Sequence, residues 1–188
     1  GTYTYSWTPS GGTGNVETNL PAGTYTVLVT DQYLCTGSTS FTLSQPTAVT
    51  ATVTSSINIS CNGLTDGSGT VVGSGGIGTP TYTWSPSGGN SSSASGLGQG
   101  IYTVTVADQN NCITTQTVSI SEPAAVTSTL TTSSDVTCNG LGDGSATVAG
   151  TGGTGTLTYS WTPSGGTSAT ATGLGQGTYT VIVTDQNN

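Results

Sequence analysis

The sequence has no lysine, no arginine and no histidine. Each absence removes a class of function. A chain without cations cannot neutralise phosphates, which sets nucleic-acid binding aside. It cannot form a side-chain salt bridge, and it offers no site to a protease that cuts after Lys or Arg. The means of catalysis are nearly absent too: there is no His base, no Lys nucleophile and no Arg clamp. Eight acids, Glu17, Asp31, Asp66, Asp108, Glu122, Asp135, Asp143 and Asp185, carry the whole net charge of −8. Paired carboxylates can hydrolyse a glycosidic bond, but these sit in turns and recur with the rest of the chain. No nucleophile–base pair can be named, so the chain is expected not to be an enzyme. Two further features are missing. No run approaches the ~18 apolar residues of a membrane span, and no basic start with an apolar core marks a signal peptide.

Charged residues make up only 4 % of the chain, against a usual share of about a quarter. With so much Thr, Ser and Gly, that shortage could signal disorder. Disordered chains, however, lack aromatic and β-branched residues, and here Tyr, Trp, Val, Ile and Thr recur in strand-like runs. The chain is expected to be ordered.

What is present is a repeat. Trp7, Trp84 and Trp161 stand 77 residues apart (84 − 7, 161 − 84). Asp31, Asp108 and Asp185 keep the same interval, as do Tyr25, Tyr102 and Tyr179. Cys35 maps onto Cys112, Cys61 onto Cys138 and Pro46 onto Pro123, with no insertion or deletion. A fixed period means stacked copies of one unit. The expected division is residues 1–45 as the C-terminal part of a repeat, 46–122 as a complete repeat and 123–188 as the N-terminal part of another. The chain thus reads as a window on a longer array.

Within the complete copy the pattern is all β. Val49, Ala51, Val53, Ile57 and Ile59 alternate, as in a half-buried strand. Asp66-Gly67-Ser68 reads as a turn, followed by strands at Gly69–Val72 and Thr81–Trp84. Pro86-Ser87-Gly88-Gly89 ends the latter. A Ser-rich strand at about Asn90–Ser95 follows, then the strongest one, Ile101–Val106. Asp108-Gln109-Asn110-Asn111 is a hairpin turn into the last strand, Cys112–Ile120. About six short strands with turns every 8–12 residues indicate a β-sandwich. Tyr82, Trp84, Val71, Leu97, Val104, Val106 and Val118 are its expected core. The unit is small, so disulfides and contacts with neighbouring copies are expected to supplement its stability.

Several of these segments are similar to a known family. Cys138–Val148 (CNGLGDGSATV) resembles the opening of the SprB-type repeat of giant cell-surface adhesins of gliding bacteria. Leu157–Trp161 resembles that family's Y-x-W strand, Leu20–Val27 its L-x-A-G-T-Y-T-V strand, and Asp108–Cys112 its closing turn and cysteine. The chain departs from it only in loops: Tyr33-Leu34 where the second copy has Asn110-Asn111, and Gly98-Gln99-Gly100 and Gly175-Gln176-Gly177 in place of Pro-Ala-Gly. The resemblance implies tandem immunoglobulin-like (or PKD-like) β-sandwiches. It also implies display at the bacterial cell surface and export through the secretion system of gliding adhesins.

The candidate sites are few. Cys35, Cys61, Cys112 and Cys138 lack the CxxC spacing of a zinc site and are expected to form disulfides in an oxidising compartment. Three pairings stay open: Cys61–Cys112 within a repeat, Cys35–Cys61 with Cys112–Cys138 across junctions, and pairing with cysteines of repeats beyond 1–188. An immunoglobulin-like topology puts Cys61 and Cys112 at opposite ends. The junction bonds need two consecutive strands folded back as a hairpin. Asp31, Asp66, Asp108, Asp143 and Asp185 recur where calcium could bind, yet each site offers one Asp, so a turn in which Asp bonds its own backbone is preferred. No other cofactor or metal is expected. The glycine runs Gly73–Gly76 and Gly150–Gly153 lack the Lys and helix of a phosphate loop and read as turns. Asn58-Ile59-Ser60 and Asn90-Ser91-Ser92 match the N-glycosylation pattern, and O-linked sugar on Thr or Ser is equally open.

Two functions follow. The first is structural: a segment of an extracellular filament or adhesin stalk, with neighbouring repeats and other copies in a filament as partners. The second is a multivalent adhesive module that binds polysaccharide or surfaces. Exposed aromatics would favour it, with Tyr3, Tyr5 and Tyr33 as candidates, although Tyr5, Tyr82 and Tyr159 keep step with the core side and the Trp positions are core-like.

Overall fold

A computed structural model describes residues 1–187; Asn188, within the expected partial repeat 123–188, lies outside the described residues. The chain forms two compact units, Gly1–Ala48 and Val49–Asn188. Every regular element among the described residues is a strand.

The first unit is one antiparallel sheet, β1 (Tyr3–Thr8), β2 (Gly23–Asp31) and β3 (Thr36–Leu43), in that order. Trp7 pairs with Val27 and Tyr25 with Phe41 across the ladders. The Phe41 ring stacks on Tyr25 at 5.8 Å and meets Trp7 edge-on at 5.9 Å. Such aromatic pairs add about 0.5–1.5 kcal/mol each beyond the area they bury.

The second unit opens with a complete sandwich. One sheet is β4 (Thr50–Ile57), β5 (Gly67–Ser74) and β7 (Ser93–Leu97), in the order β4-β5-β7. The facing sheet is β6 (Thr81–Ser85), β8 (Gly100–Ala107) and β9 (Ile113–Ile120), in the order β6-β8-β9. The same pattern returns 77 residues on, as β10 (Thr127–Ser134), β11 (Gly144–Thr151) and β13 (Thr170–Leu174) facing β12 (Thr158–Thr162) and β14 (Thr180–Thr184). The first unit's β1-β2-β3 corresponds to β6-β8-β9.

This is an immunoglobulin-like sandwich, with two marks of that fold. Trp84, on the strand equivalent to strand C, is buried. Tyr102, near the start of the strand equivalent to F, donates its hydroxyl to the Gly98 carbonyl at 3.1 Å, a tyrosine corner. Tyr25 donates to Pro21 and Tyr179 to Gly175 in the same way. In antibody domains a cysteine follows the corner tyrosine by two residues; here that position is Val104, fully buried. The cysteines of this chain have no place in the core.

The six expected strands are all present, and Trp84, Val71, Leu97, Val104, Val106 and Val118 are buried, with Tyr82 packed against them. Ile59, Ala94, Tyr102 and Ile120 complete the cluster. Two details differ from the sequence reading. Ile57 is 58 % exposed. The ladder shifts between Val53 and Ser55, so Thr54 is a bulge and the alternation reverses after it. The third repeat bulges at the equivalent place, between Leu130 and Thr132. The second difference concerns β5, which begins at Gly67 rather than Gly69 and runs through Gly73. Its glycines point inward, and the facing sheet sits close to them. A Cβ on Gly67 would lie 2.6 Å from Ile120 and 2.8 Å from the Leu97 carbonyl; one on Gly73 would lie 2.6 Å from Val106. At Gly69 the nearest atoms, on Val118 and Trp84, are 3.0 and 3.1 Å away. The third repeat carries Ala146 at that position.

A graded response is therefore expected on β5. Gly67→Ala should destabilise the second repeat by roughly 1–3 kcal/mol, because the backbone carbonyl of Leu97 cannot yield. Gly69→Ala should cost less than ~1 kcal/mol, since only side chains must move. Denaturant melts of the two variants check this; equal losses would show that the glycines do not set the sheet spacing.

Candidate functional site: the junction between repeats

In a chain without cations, carboxylates must be satisfied by N–H, O–H and S–H groups. The aspartate that closes each repeat shows how. Asp108 is buried; its Oδ1 accepts from the Asn110 and Cys112 amides at 2.9 and 2.8 Å, and its Oδ2 accepts from the Ile77 amide at 2.9 Å. One carboxylate thus joins the β8–β9 turn to the glycine loop before β6. Gly76 permits the approach: it has φ +68°, and a Cβ there would lie 2.6 Å from Asp108 Cβ. Asp185 repeats the arrangement with Asn187 and Thr154. Asp31 Oδ1 accepts from Tyr33 and Cys35. Each of the three bonds the backbone of its own turn, and Asp108 and Asp185 also bond a second loop. Asp66 and Asp143 likewise accept from the Ser60 and Thr137 amides, at 3.1 and 3.0 Å, and from the same residues' hydroxyls. Among the described residues no three His, Cys, Asp or Glu side chains cluster to hold a metal ion.

Asp66 fastens the loop after β4, and that loop forms the junction. It first grips the segment that leaves its own repeat. The Ile59 amide donates to the Ser121 carbonyl and the Ser121 amide to Asn58 Oδ1, both at 3.0 Å. Asn62 Nδ2 donates to the Pro123 carbonyl at 3.0 Å, and the Gly63 amide to the Glu122 carboxylate at 2.9 Å. The loop then reaches the next repeat. Asn187 Nδ2 donates to the Ser60 carbonyl at 2.9 Å and Thr154 Oγ1 to the same oxygen at 3.4 Å. The Cys61 thiol points at Asp185 Oδ1, 3.9 Å away. Cys61, Asn62, Ala124, Val126, Gly153 and Asp185 line a cleft there.

The four cysteines are free thiols: Cys35, Cys112 and Cys138 are exposed and Cys61 is half-buried. This corrects the pairings expected inside residues 1–188. Cys61 lies beside the exit of β9 while Cys112 lies at its entry, so one strand length separates them. Cys112 and Cys138 would need β9 and β10 to form a hairpin, but β9 pairs with β8 and β10 with β11. Asn58 spends its carbonyl oxygen on the junction, whereas Asn90 lies in an exposed turn. Trp84 and Trp161 are buried, and each indole donates to the carbonyl seven residues on, as Trp7 also does. Tyr5, Tyr82 and Tyr159 are half-buried, while Tyr3 and Tyr33 are 59 % and 77 % exposed. The junction bonds escaped the sequence reading. Asn58, Asn62 and Asn187 were its only traces, and asparagine in a turn needs no partner across a domain boundary.

Residues 130–167 match the family model of the SprB repeat. The match runs from β10 through the Cys138 loop to the turn after β12, and that repeat is a structural unit of cell-surface adhesins. No curated protein sequence matches the chain. Among solved structures the chain is similar to the three N-terminal domains of the Highly Immunogenic Outer Capsid protein (Hoc) of bacteriophage RB49. The identity is 16 % and the TM-score 0.43, over 86 % of this chain and 64 % of that one. The chain thus spans less than two thirds of that structure's length, and a likeness at this score carries no argument. No helix among the described residues is long and apolar enough to cross a membrane.

The carboxylates make stability depend on acid. Hydrogen bonds from the Ser60 hydroxyl and amide hold Asp66 below its ordinary value of 3.8, those from Thr137 do so for Asp143, and the Ile77 and Cys112 amides for Asp108. A carboxylate depressed by folding stabilises above its unfolded pKa and loses that contribution as pH falls through the folded one. Neutralising a net charge of −8 would act in the opposite sense, but exposed charges further apart than about 8 Å are screened at physiological salt. The melting temperature is therefore expected to stay level from pH 7 to about 5 and to fall below about 4, with a shallower fall in Asp108→Asn. A melting temperature that rises on acidification would contradict this.

Proposed function

We propose that this chain is a load-bearing segment of an extracellular filament or adhesin stalk on a bacterial surface, with residues 46–122 as its complete repeat. The supporting observation is the junction. The segment Ser121–Pro123 is held by four hydrogen bonds from the loop after β4, and the same loop bonds the following repeat. A flexible tether would leave such a segment to solvent. Bound on both sides, it sets one angle between consecutive sandwiches, and a strict 77-residue period carries that angle along an array. The roles follow from position. Asn62 and Glu122 hold the linker, Asn187 and Thr154 hold the next repeat, and the aspartates keep the loops shaped for both. Neighbouring repeats are the primary partners, with other copies of the filament alongside.

A second reading, a multivalent adhesive module for polysaccharide or surfaces, is favoured by one observation. Tyr33 and Leu34 form an exposed apolar tip in the first unit, 77 % and 82 % accessible, with Leu34 held at φ +67°. The second copy has Asn110-Asn111 at that tip, so the feature is not shared by all repeats.

Electron micrographs of the native material separate the readings. Uniform fibres or stalks, together with no binding by the purified chain on glycan arrays, are expected. Glycan binding that rises steeply with the number of repeats and disappears in Tyr33→Ala would instead establish adhesion.

A further inference from the structure

The sequence holds two Asn-Gly pairs, Asn62-Gly63 and Asn139-Gly140, in the loops after β4 and β10. Both stand in the same context, Cys-Asn-Gly-Leu. Both fold into the same turn: the Leu64 amide donates to the Cys61 carbonyl at 3.2 Å, and the Leu141 amide to the Cys138 carbonyl at 3.1 Å. Gly63 and Gly140 each stand at φ +82°, so the turn itself demands glycine there. Asn62, Gly63, Asn139 and Gly140 are all exposed. In an Asn-Gly pair the backbone nitrogen of the glycine reaches the asparagine Cγ with the least hindrance, because no Cβ obstructs ring closure.

Only the surroundings of the two turns differ. Asn62 Nδ2 donates to the Pro123 carbonyl at 3.0 Å, and the Gly63 amide to the Glu122 carboxylate at 2.9 Å. Among the described residues no counterpart of either bond forms at Asn139 or Gly140. Ring closure at Asn62 needs two events. The Gly63 nitrogen must lose its proton, and the Asn62 amide must swing onto that nitrogen. The junction opposes both. A deprotonated Gly63 nitrogen would sit 2.9 Å from the Glu122 carboxylate, as two negative charges with no basic side chain in the sequence to offset them. The Pro123 carbonyl meanwhile holds Nδ2, and Cγ with it, in place.

We infer that the Asn62-Gly63 turn is a deamidation site gated by the junction. The closed junction preserves Asn62, an opened one lets it convert to aspartate or isoaspartate, and the converted junction does not close again. The product explains the one-way step. Aspartate at position 62 has no donor for the Pro123 carbonyl and sets a second carboxylate beside Glu122. Isoaspartate also inserts a methylene into the backbone of the turn. The boundary between repeats thereby keeps a chemical record of having opened. The inference rests on the junction bonds and not on a mechanical role.

The reaction balances with water alone. Hydroxide takes the Gly63 amide proton, the nitrogen bonds to Asn62 Cγ, and the Cγ–Nδ2 bond breaks. The leaving nitrogen takes a proton from water and departs as ammonia, which restores the hydroxide. Water then opens the succinimide ring at either carbonyl. One cleavage restores the original backbone with an aspartate side chain; the other routes the backbone through the side chain as isoaspartate. Nothing is oxidised or reduced, and the chain gains one negative charge.

The test uses the unaltered chain, kept reduced in mildly alkaline buffer. Chymotryptic mapping by mass spectrometry, needed because trypsin has no site, follows amide loss at Asn62 and Asn139 separately. Methylation by an isoaspartyl methyltransferase identifies the isomer. In the folded chain Asn139 is expected to lose its amide about tenfold faster than Asn62, the factor for a local opening that breaks two such hydrogen bonds. In denaturant the two rates should be equal, because the sequence context is the same. Glu122→Ala should raise the Asn62 rate severalfold and leave Asn139 unchanged. Asn62→Asp should speed hydrogen exchange of the Gly63 amide. Equal rates in the folded chain, faster loss at Asn62, a difference that persists in denaturant, or an unchanged Asn62 rate in Glu122→Ala would overturn the gate. Unchanged Gly63 exchange in Asn62→Asp would overturn the one-way step. The comparison of the two asparagines needs no variant, so it decides the matter even if neither variant folds.

Discussion

The closing aspartate of each repeat is the interaction on which the rest depends. In most proteins a buried carboxylate meets an arginine or a lysine. This chain has neither, so Asp108 is satisfied by three backbone amides from two loops. Charge-assisted bonds of that kind are about twice as strong as neutral ones. They also fix geometry, because backbone donors cannot swing away as a lysine can. At Asp185 the same carboxylate faces a third loop, which belongs to the preceding repeat. At Asp185 one oxygen pair thus touches turn, glycine loop and junction.

The sandwiches use the same economy. With so few large side chains, the two sheets approach through glycine. Gly67, Gly69 and Gly73 on β5 leave room for Ile120, Trp84, Val118 and Val106 from the facing sheet. The outer faces are Thr and Ser, which pair across strands, as Thr24 with Thr42 and Thr70 with Ser93. Such pairs are worth a few tenths of a kcal/mol each. The result is a small, nearly uncharged bead whose stability rests on backbone ladders and one compact core. The SprB repeat matched at residues 130–167 has that character of a structural unit.

Much of this was legible in the residues. The 77-residue period, the six strands and the burial of Trp84 followed from alternation and turn chemistry, because those signals are local. The corner tyrosine was visible as a repeat but not as a core residue. Its burial depends on a hydroxyl bond to Gly98, which alternation does not report. Ile57 went wrong because a bulge at Thr54 leaves no mark in a Thr-Ser run. The junction was least legible. Ser60 and Asn187, or Cys61 and Asp185, are more than one repeat apart in sequence, and only the angle between sandwiches brings them together. None of Cys35, Cys61, Cys112 and Cys138 is paired with another.

The central claim is that the second and third repeats are held at one angle by hydrogen bonds made with the loop after β4. Residual dipolar couplings of backbone amides in the second and third repeats measure this most directly. A single alignment tensor should fit residues 49–187, and should split into two when Asn62 and Asn187 are both replaced by alanine. Two independent tensors in the unaltered chain would show that the repeats swing freely and would contradict the claim.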